Sequence, residues 1–544
     1  MAETHVKDES VFSAADYILF GILSCLLLAA SLYFLRTWYA YCDWGNQPLV
    51  CLTFTLIVLI RLANSHIRWL TLPMMRRPQP MMPRPELRVA VVTTFVPGSE
   101  SLEMLEETVR ALVALEYPHD TWVLDEGDDR QVRELCHKAG AYHFSRKGRA
   151  IPQAGEGRFS SGSKYGNYNC WLYEVGFDRY EILSAFDPDH VPHASFLMKT
   201  LGYFEDPDVG YVQAPQAYYN QNAGFIARGA SEETCEYYSC TQMAANRFRM
   251  PAVVGSHNTH RVEALREVGG FAPHDADDLL IGLFYQSRGW RGVYVPEILA
   301  RGVTPVDWNG YLVQQLRWAR SVIDIRFRLH HYVGGGIPAT GHLLSILHGI
   351  FYLQFSLTTF VFLVLLALML ATGADPGVFK AELLPGLGIL ASALCVCALY
   401  RRRFYLDKRR EYGLQWRAAL LRYAKWPVFL KGALDVVRRR SVPYALTLKI
   451  RSETASSMLV IPHALVIVLI GAACGIGLVL NVGAPFFLYL VATGIIALSV
   501  VLILTGRMNF PAPFDRDLLY DEWLSESALP ESGDSLPSRT SEAG

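Results

Sequence analysis

The chain has 544 residues, 51% of them hydrophobic, and a formal net charge of −1. That length exceeds one compact domain, and the apolar residues are gathered into runs rather than spread. The 10 cysteines include no Cys-x-x-Cys pair, and Cys25, Cys51, Cys395, Cys397 and Cys474 sit within apolar runs, so no disulfide framework or zinc site is expected and the soluble part belongs in a reducing compartment.

The N-terminus, MAETHVKDES, lacks the basic start of a secretory signal. Residues 1–15 therefore read as a cytoplasmic tail and the first apolar run as a retained span. A span takes about 20 apolar residues. Residues 16–84 hold two, near 16–36 and 48–65, the second interrupted by Arg61. Residues 85–310 alternate strand and helix: strands at 89–96, 121–124 and 182–186, and a helix at 101–115. Such alternation predicts an α/β domain with a mostly parallel, Rossmann-like sheet. Ligands of such sheets bind off the carboxyl ends of strands, where Asp125 and Asp187 stand.

Residues 311–340 read as interfacial helices and 341–400 as two spans, near 341–371 and 382–400. A basic loop fills 401–456, two further spans lie near 457–480 and 484–506 within 457–508, and 509–544 reads as a disordered tail. Six spans place both termini and the central block on one side. Residues 401–451 carry 15 Lys+Arg against 3 Asp+Glu, whereas the short loops 37–47 and 372–381 share only Lys380. The positive-inside bias makes the central block and the basic loop cytoplasmic.

Several side chains carry chemistry. Asp187 and Asp189 flank Pro188 at a strand end and, with His190, suit Mg²⁺ or Mn²⁺ on a nucleotide diphosphate; the alternative is a solvated acidic turn. Asp277 and Asp278 open an apolar helix. Asp278 is expected to act as general base and Asp277 to orient it or touch the acceptor; the alternative is charge complementing the helix dipole. Gln314, Arg317 and Trp318, at i, i+3 and i+4, share one helical face for diphosphate and sugar; the alternative is an amphipathic surface helix. Lys164 is placed to reach a diphosphate, with Gly166 permitting close approach. Ser345, His348, Tyr352, Ser356 and Thr359 form a polar stripe along the third span, facing either a water-filled path or a neighbouring helix. Residues 414–438 read as a helix in the membrane surface.

These signatures together resemble the processive family 2 glycosyltransferases, and among them most closely the bacterial cellulose synthase-like proteins; chitin, hyaluronan and curdlan synthases share much of the pattern. The match covers roughly 45–510. Asp187-x-Asp189 and Gln314-x-x-Arg317-Trp318 are its specific parts, and Val212-Gln213-Ala214-Pro215 resembles the family's Val-Gln-x-Pro strand end. Tyr444-Ala445-Leu446-Thr447-Leu448-Lys449 is similar to the cellulose synthase gating loop.

The resemblance implies a cytoplasmic GT-A domain embedded between α-helical transmembrane bundles in a bacterial inner membrane. It implies that Asp125 and Glu126 sit by the nucleoside, and that Asp187 and Asp189 hold phosphate and metal. Asp278 would be the base, Gln314, Arg317 and Trp318 the acceptor platform, and Thr447 and Lys449 contacts to the donor phosphates. UDP-glucose and a growing, exported β-glucan are the implied partners. The alternatives are a non-processive enzyme acting on a lipid acceptor, and an inactive export channel or scaffold. Membrane lipids are expected partners, a periplasmic or homo-oligomeric partner is left open, and neither nucleic acid nor cyclic-di-GMP is expected to bind directly. The chain departs from the family in Pro97-Gly98-Ser99-Glu100-Ser101, which lacks the aromatic that packs on uracil. It departs also in Glu126, in Ala276-Asp277-Asp278, and in Val253-Val254-Gly255 where cellulose synthases have Phe-Cys-Gly.

Overall fold

The computed structural model describes residues 5–149, 157–377, 380–411, 413–440 and 456–506. Seven strands form the main sheet of the soluble block: β1 (Val89–Phe95), β2 (Asp120–Asp125), β3 (Tyr142–Phe144), β4 (Ile182–Phe186), β5 (Val209–Gln213), β6 (Asn258–Arg261) and β7 (Arg291–Tyr294). Their order is β7-β5-β6-β4-β1-β2-β3. All neighbours are parallel except β6, which runs antiparallel between β4 and β5. β1 is buried along its whole length, as a central strand with both faces covered must be.

The strands expected at 89–96, 121–124 and 182–186 are β1, β2 and β4, and the helix expected at 101–115 is Leu102–Val113. The strand β6, Asn-Thr-His-Arg, shows no apolar alternation. It is buried because its polar groups are satisfied across strands: Thr259 Oγ1 lies 2.9 Å from Ser184 Oγ, and His260 Nδ1 lies 2.9 Å from the Tyr285 hydroxyl. An antiparallel strand presents its amino end where its neighbours present their carboxyl ends. The turn Gly255-Ser256-His257 therefore joins the edge that carries Asp187.

The helices that build or frame the site are, in chain order, α1 (Ala14–Tyr41), α2 (Pro48–Leu70), α3 (Lys164–Trp171), α4 (Phe225–Glu236), α5 (Asp277–Ser287), α6 (Trp308–Phe327), α7 (Ala339–Thr372), α8 (Leu384–Arg401), α9 (Trp416–Ala424), α10 (Trp426–Val437), α11 (Ser457–Val479) and α12 (Phe486–Thr505). Among the described residues six are long and apolar enough to cross a membrane: α1, α2, α7, α8, α11 and α12. At 1.5 Å per residue α7 is about 51 Å long, against about 30 Å of hydrocarbon. Its first turns therefore stand outside the bilayer, against the soluble block. Arg61, which interrupts the second span, is accommodated by α7: it donates to Thr359 Oγ1 at 3.1 Å and lies over the Phe355 ring at 4.8 Å.

The N-terminal tail has structure that the sequence does not announce. Asp8–Ser10 pairs antiparallel with Arg76–Pro78, and the Val6 amide donates to Asp206 Oδ2 at 2.9 Å. The tail thus ties the first span back to the soluble block.

The interfacial helices are joined to that block by buried charge. Lys425, at the start of α10, donates to Glu233 of α4 at 2.9 Å and to Gln315 of α6 at 3.0 Å, and the Tyr311 hydroxyl donates to Glu233 at 2.6 Å. Nearby, Glu236 accepts from Arg68 and pairs with Arg401 at 3.3 Å. Burial opposes the Glu236 charge, but Arg68 and Arg401 outweigh it and hold the carboxyl down to about 2. Removing one partner of such a buried pair costs about 3–5 kcal/mol because the other charge is stranded. Glu233→Gln and Lys425→Met should each destabilise by that amount, and the double variant by less than the sum. Thermal unfolding of the purified chain in detergent measures this.

Candidate active site

Lys164 is the centre of the pocket at the sheet edge. It opens α3, whose N-cap Ser163 accepts the Gly166 amide at 3.1 Å. Its ammonium donates to Asp187 Oδ1 at 2.5 Å and to the Gly255 carbonyl at 2.6 Å. Asp187 follows β4, and its amide donates to Ser256 Oγ at 3.0 Å. Helix α5 supplies Asp277 and Asp278, and Asp278 Oδ1 accepts the Leu279 amide at 2.7 Å. A Cβ on Gly255 would lie 3.4 Å from Asp278 Oδ2 and 4.0 Å from Lys164 Nζ. The carboxylate and the ammonium thus both border this glycine. Gly166 has a different use from the expected one: a Cβ there would lie 2.2 Å from the Ser160 carbonyl, so it admits its own loop rather than a diphosphate.

Charge in this pocket is crowded. Burial raises the Asp277 carboxyl to about 7, with repulsion from Asp278 adding to it and Lys164 opposing. Burial likewise raises Asp278, against the Leu279 amide, Lys164 and Arg317. Burial works against the Lys164 ammonium, but the Asp187 carboxylate outweighs it and holds that group above its ordinary value. Lys164, Asp187, Asp277, Asp278 and Arg317 therefore sense one another, although they come from four separate stretches of chain.

The donor atoms of Asp187, Asp189 and His190 lie within 4.8 Å of one another. Two ligands of one Mg²⁺, each about 2.1 Å from it, are at most about 4.2 Å apart, so a small closure completes the set. Asp187 is part-exposed to the pocket, whereas Asp189 is 2% exposed and meets His190 Nδ1 at 3.1 Å. The other ring nitrogen of His190 is walled in: a Cβ on Gly302 would lie 2.2 Å from Nε2, and the His257 ring stands 4.6 Å away. Two hard carboxylates backed by a buried imidazole suit a divalent cation.

Asp125 and Glu126 lie at the base of the neighbouring loop. The Asp125 carboxylate is fully buried and accepts from the Gly127 and Asp129 amides, with His143 Nε2 at 3.1 Å. Glu126 accepts from Nε and Nη2 of the buried Arg146, at 2.9 and 2.6 Å, and from the Gly162 amide at 3.2 Å. The second acidic residue thus draws the loop before Lys164 toward β2.

On α6, Gln314, Arg317 and Trp318 are half-buried along one face while Gln315 and Ala319 turn inward. The polar stripe of α7 divides. His348 lies between Tyr237 (5.9 Å) and Tyr352 (5.7 Å) with its ring tilted to both, and Tyr352 packs on Phe429 at 4.9 Å. Asp278 acts electrostatically on both Tyr237 and Tyr352, so this aromatic row starts at the pocket. Ser345 is half-buried beside it. Deeper along α7, the Ser356 hydroxyl bonds to its own helix at Leu353 O, 3.1 Å, and Thr359 receives Arg61; those two serve packing. Thr447 and Lys449 lie outside the described residues. The turn Gly255-Ser256, Tyr237 and the Glu233–Lys425 joint were not expected. Gly255 was noted only as part of a departure from the family, and the others carry no motif.

Parts of the chain are similar to known proteins. Residues 184–374 match the profile of the family described as Glycosyl transferase family group 2. The chain is 26% identical over 325 residues to cellulose synthase 2 of Novacetimonas hansenii, which is 58% of this chain and 18% of that protein. It is 26% identical over 347 residues to the UDP-forming cellulose synthase catalytic subunit of Pseudomonas fluorescens, 62% of this chain and 44% of that one. The corresponding subunit of Xanthomonas axonopodis matches at 26% over 296 residues, 53% and 38% of the two chains. The chain thus spans less than half the length of these curated relatives. Among solved structures, a mannosyltransferase from Pyrobaculum calidifontis aligns with TM-score 0.49 and 15% identity over 72% of this chain and 100% of that one. Residues 184–374 thus match a family group 2 glycosyltransferase profile, within an α/β block carried between helices long and apolar enough to cross a membrane, on a chain similar to cellulose synthases.

Proposed function

We propose that the chain is an inverting, divalent-metal-dependent, processive glycosyltransferase that extends a β-linked glucan from a nucleotide sugar at the cytoplasmic face of a bacterial inner membrane and passes it outward. UDP-glucose is the donor this reading takes, on the likeness to the UDP-forming cellulose synthase subunits. The observation that carries it is the convergence of Lys164, Asp187, Asp278 and Arg317 on one pocket from which an aromatic row leads onto a membrane-crossing helix.

Four carboxylates, of Asp187, Asp189, Asp277 and Asp278, face two cationic side chains, Lys164 and Arg317, in this region. A donor diphosphate adds further negative charge, which such a site repels unless a cation joins it. Asp187 and Asp189 would hold that cation, which offsets the charge developing on the leaving diphosphate. Lys164, displaced from Asp187, and Arg317 are then free to donate to the phosphate oxygens. Asp278 accepts the proton of the acceptor hydroxyl as its oxygen bonds to the anomeric carbon and the bond to the diphosphate breaks. Burial keeps Asp278 basic, and its charge in turn raises Asp277. Trp318, Tyr237 and Tyr352 offer ring faces to the sugar units, and Gln314 a hydrogen-bonding side chain.

The purified chain, given individual radiolabelled nucleotide sugars with Mg²⁺ or Mn²⁺ and its product digested with linkage-specific hydrolases, tests the reading. A long β-glucan supports it, and a short glycolipid or no transfer overturns it. Asp278→Asn should lower polymer formation by about 10²–10⁴-fold, the range of a lost general base, and unchanged output would instead indicate a scaffold. The basic form of the carboxylate pair is the active one, and burial raises both groups, so kcat/KM should begin to fall with decreasing pH while still above the ordinary carboxylate range. Asp277→Asn removes the repulsion and should move that acid limb to lower pH.

A further inference from the structure

Three contacts join α6 to the turn that leads into α5. Arg317, Arg320 and Asp324 stand at i, i+3 and i+7, so they share one face of α6, spread over about 10 Å of its length. Arg317 acts electrostatically on Asp278. Arg320 Nη2 donates to Asp275 Oδ2 at 3.1 Å. Asp324 Oδ2 lies 3.3 Å from His274 Nε2. The face that carries Arg317 thus also engages the two residues at the start of the turn.

His274 is bonded at both ring nitrogens, and its side chain is 9% exposed. Nδ1 accepts the Ala276 amide at 3.0 Å. A nitrogen that faces an amide hydrogen carries no proton, so the ring proton is on Nε2 and is donated to Asp324. Ala276 is the N-cap of α5. Leu279, three positions on, cannot take the Ala276 amide as a capping-box Glu would; His274 takes it instead. Asp324 is itself held in place. It accepts from the Tyr332 hydroxyl at 2.6 Å and pairs with Arg328 at 3.3 Å, and the Tyr332 ring stands edge-on to His274 at 5.3 Å. Burial opposes the Asp324 charge, but the bonds from His274 and Tyr332, with Arg328, outweigh it and hold the carboxyl below its ordinary value.

We propose that His274 is a positioning residue: bonded through one nitrogen to the residue before Asp277 and through the other to α6, it fixes the distance between Asp278 and Arg317. Asp278 is the base of the glycosyltransferase reading, on which this assignment rests. Helix α6 is anchored independently, since Gln315 accepts from Lys425 of α10. Loosening the His274 tie therefore moves the turn rather than the helix, and Asp278 moves with it. A displacement of about 1 Å at the reacting groups costs about 10²-fold in rate. The nucleotide, held on this reading by Lys164, Arg317 and the metal at Asp187 and Asp189, stays where it is.

The two halves of the ring can be tested apart. His274→Asn keeps an acceptor for the amide two residues on but is too short to reach Asp324, whereas His274→Gln reaches Asp324 and gives up the amide. In each, kcat for transfer from UDP-glucose should fall by about 10²-fold, while binding of UDP with Mn²⁺, measured by calorimetry, should be unchanged. Hydrogen exchange of the full-length chain in detergent, with no donor present, should rise over residues 272–279 in both variants. An undiminished kcat in either variant overturns the proposal. So does a loss of UDP binding as large as the loss of turnover, which would mean that the pocket as a whole has come apart. A chain that transfers no sugar even when unaltered would count against the glycosyltransferase reading. Exchange then decides the tie alone, and unchanged exchange over residues 272–279 in both variants overturns it.

Discussion

The ion pair between Lys164 and Asp187 is the contact on which the site depends. It joins the start of α3 to the end of β4, and through the Gly255 carbonyl it also holds the turn before β6. Without an ammonium there, Asp187, Asp277 and Asp278 would face one another in a buried pocket, and like charges at low dielectric repel strongly. The pocket can exist without substrate because Lys164 occupies its negative centre. On the proposed reading it accepts a metal–diphosphate because that pair brings its own compensating charge and leaves Lys164 a phosphate to hold. One residue would then serve folding in one state and binding in the other.

The legible parts of the sequence were those with a period or a charge pattern. Six apolar runs and the strands β1, β2 and β4 show in hydropathy, and Asp187, Asp277, Asp278, Arg317 and Trp318 show in spacing. What remained hidden depends on partners far along the chain. The strand β6 reads as polar loop until Ser184 and Tyr285 are beside it. Gly255 matters because Asp278 arrives next to it from α5. Glu233 and Lys425 are 192 residues apart, and neither carries a local signal. The polar stripe of α7 was legible as a stripe, but only packing separates His348 and Tyr352, at the pocket, from Ser356 and Thr359, which bond within and between helices.

The soluble block and the membrane helices are held together by polar contacts as much as by apolar ones. Arg68 on α2, Glu233 and Glu236 on α4, Arg401 on α8 and Lys425 on α10 form a buried charged layer where the two parts meet. Such a layer adds little net stability compared with apolar packing. Its geometry is directional, however, and a slip of one helix against another would strand a charge. That fixes the register of α6 relative to the strands and so the distance between Arg317 and Asp278.

On the proposed reading the same register bears on how a product would leave. Asp278 sits where α5 begins, and the rings of Tyr237, His348, Tyr352 and Phe429 make a row that reaches onto α7 and α10. Flat ring faces bind a pyranose without demanding a fixed hydroxyl pattern, so a chain can advance along them by one unit without losing many hydrogen bonds at once. A wall of fixed hydrogen-bond donors would hold each unit more tightly and impede that advance. On the proposed reading an aromatic row near a carboxylate pair suits repeated addition, in which the acceptor end must be held firmly enough to react and loosely enough to move.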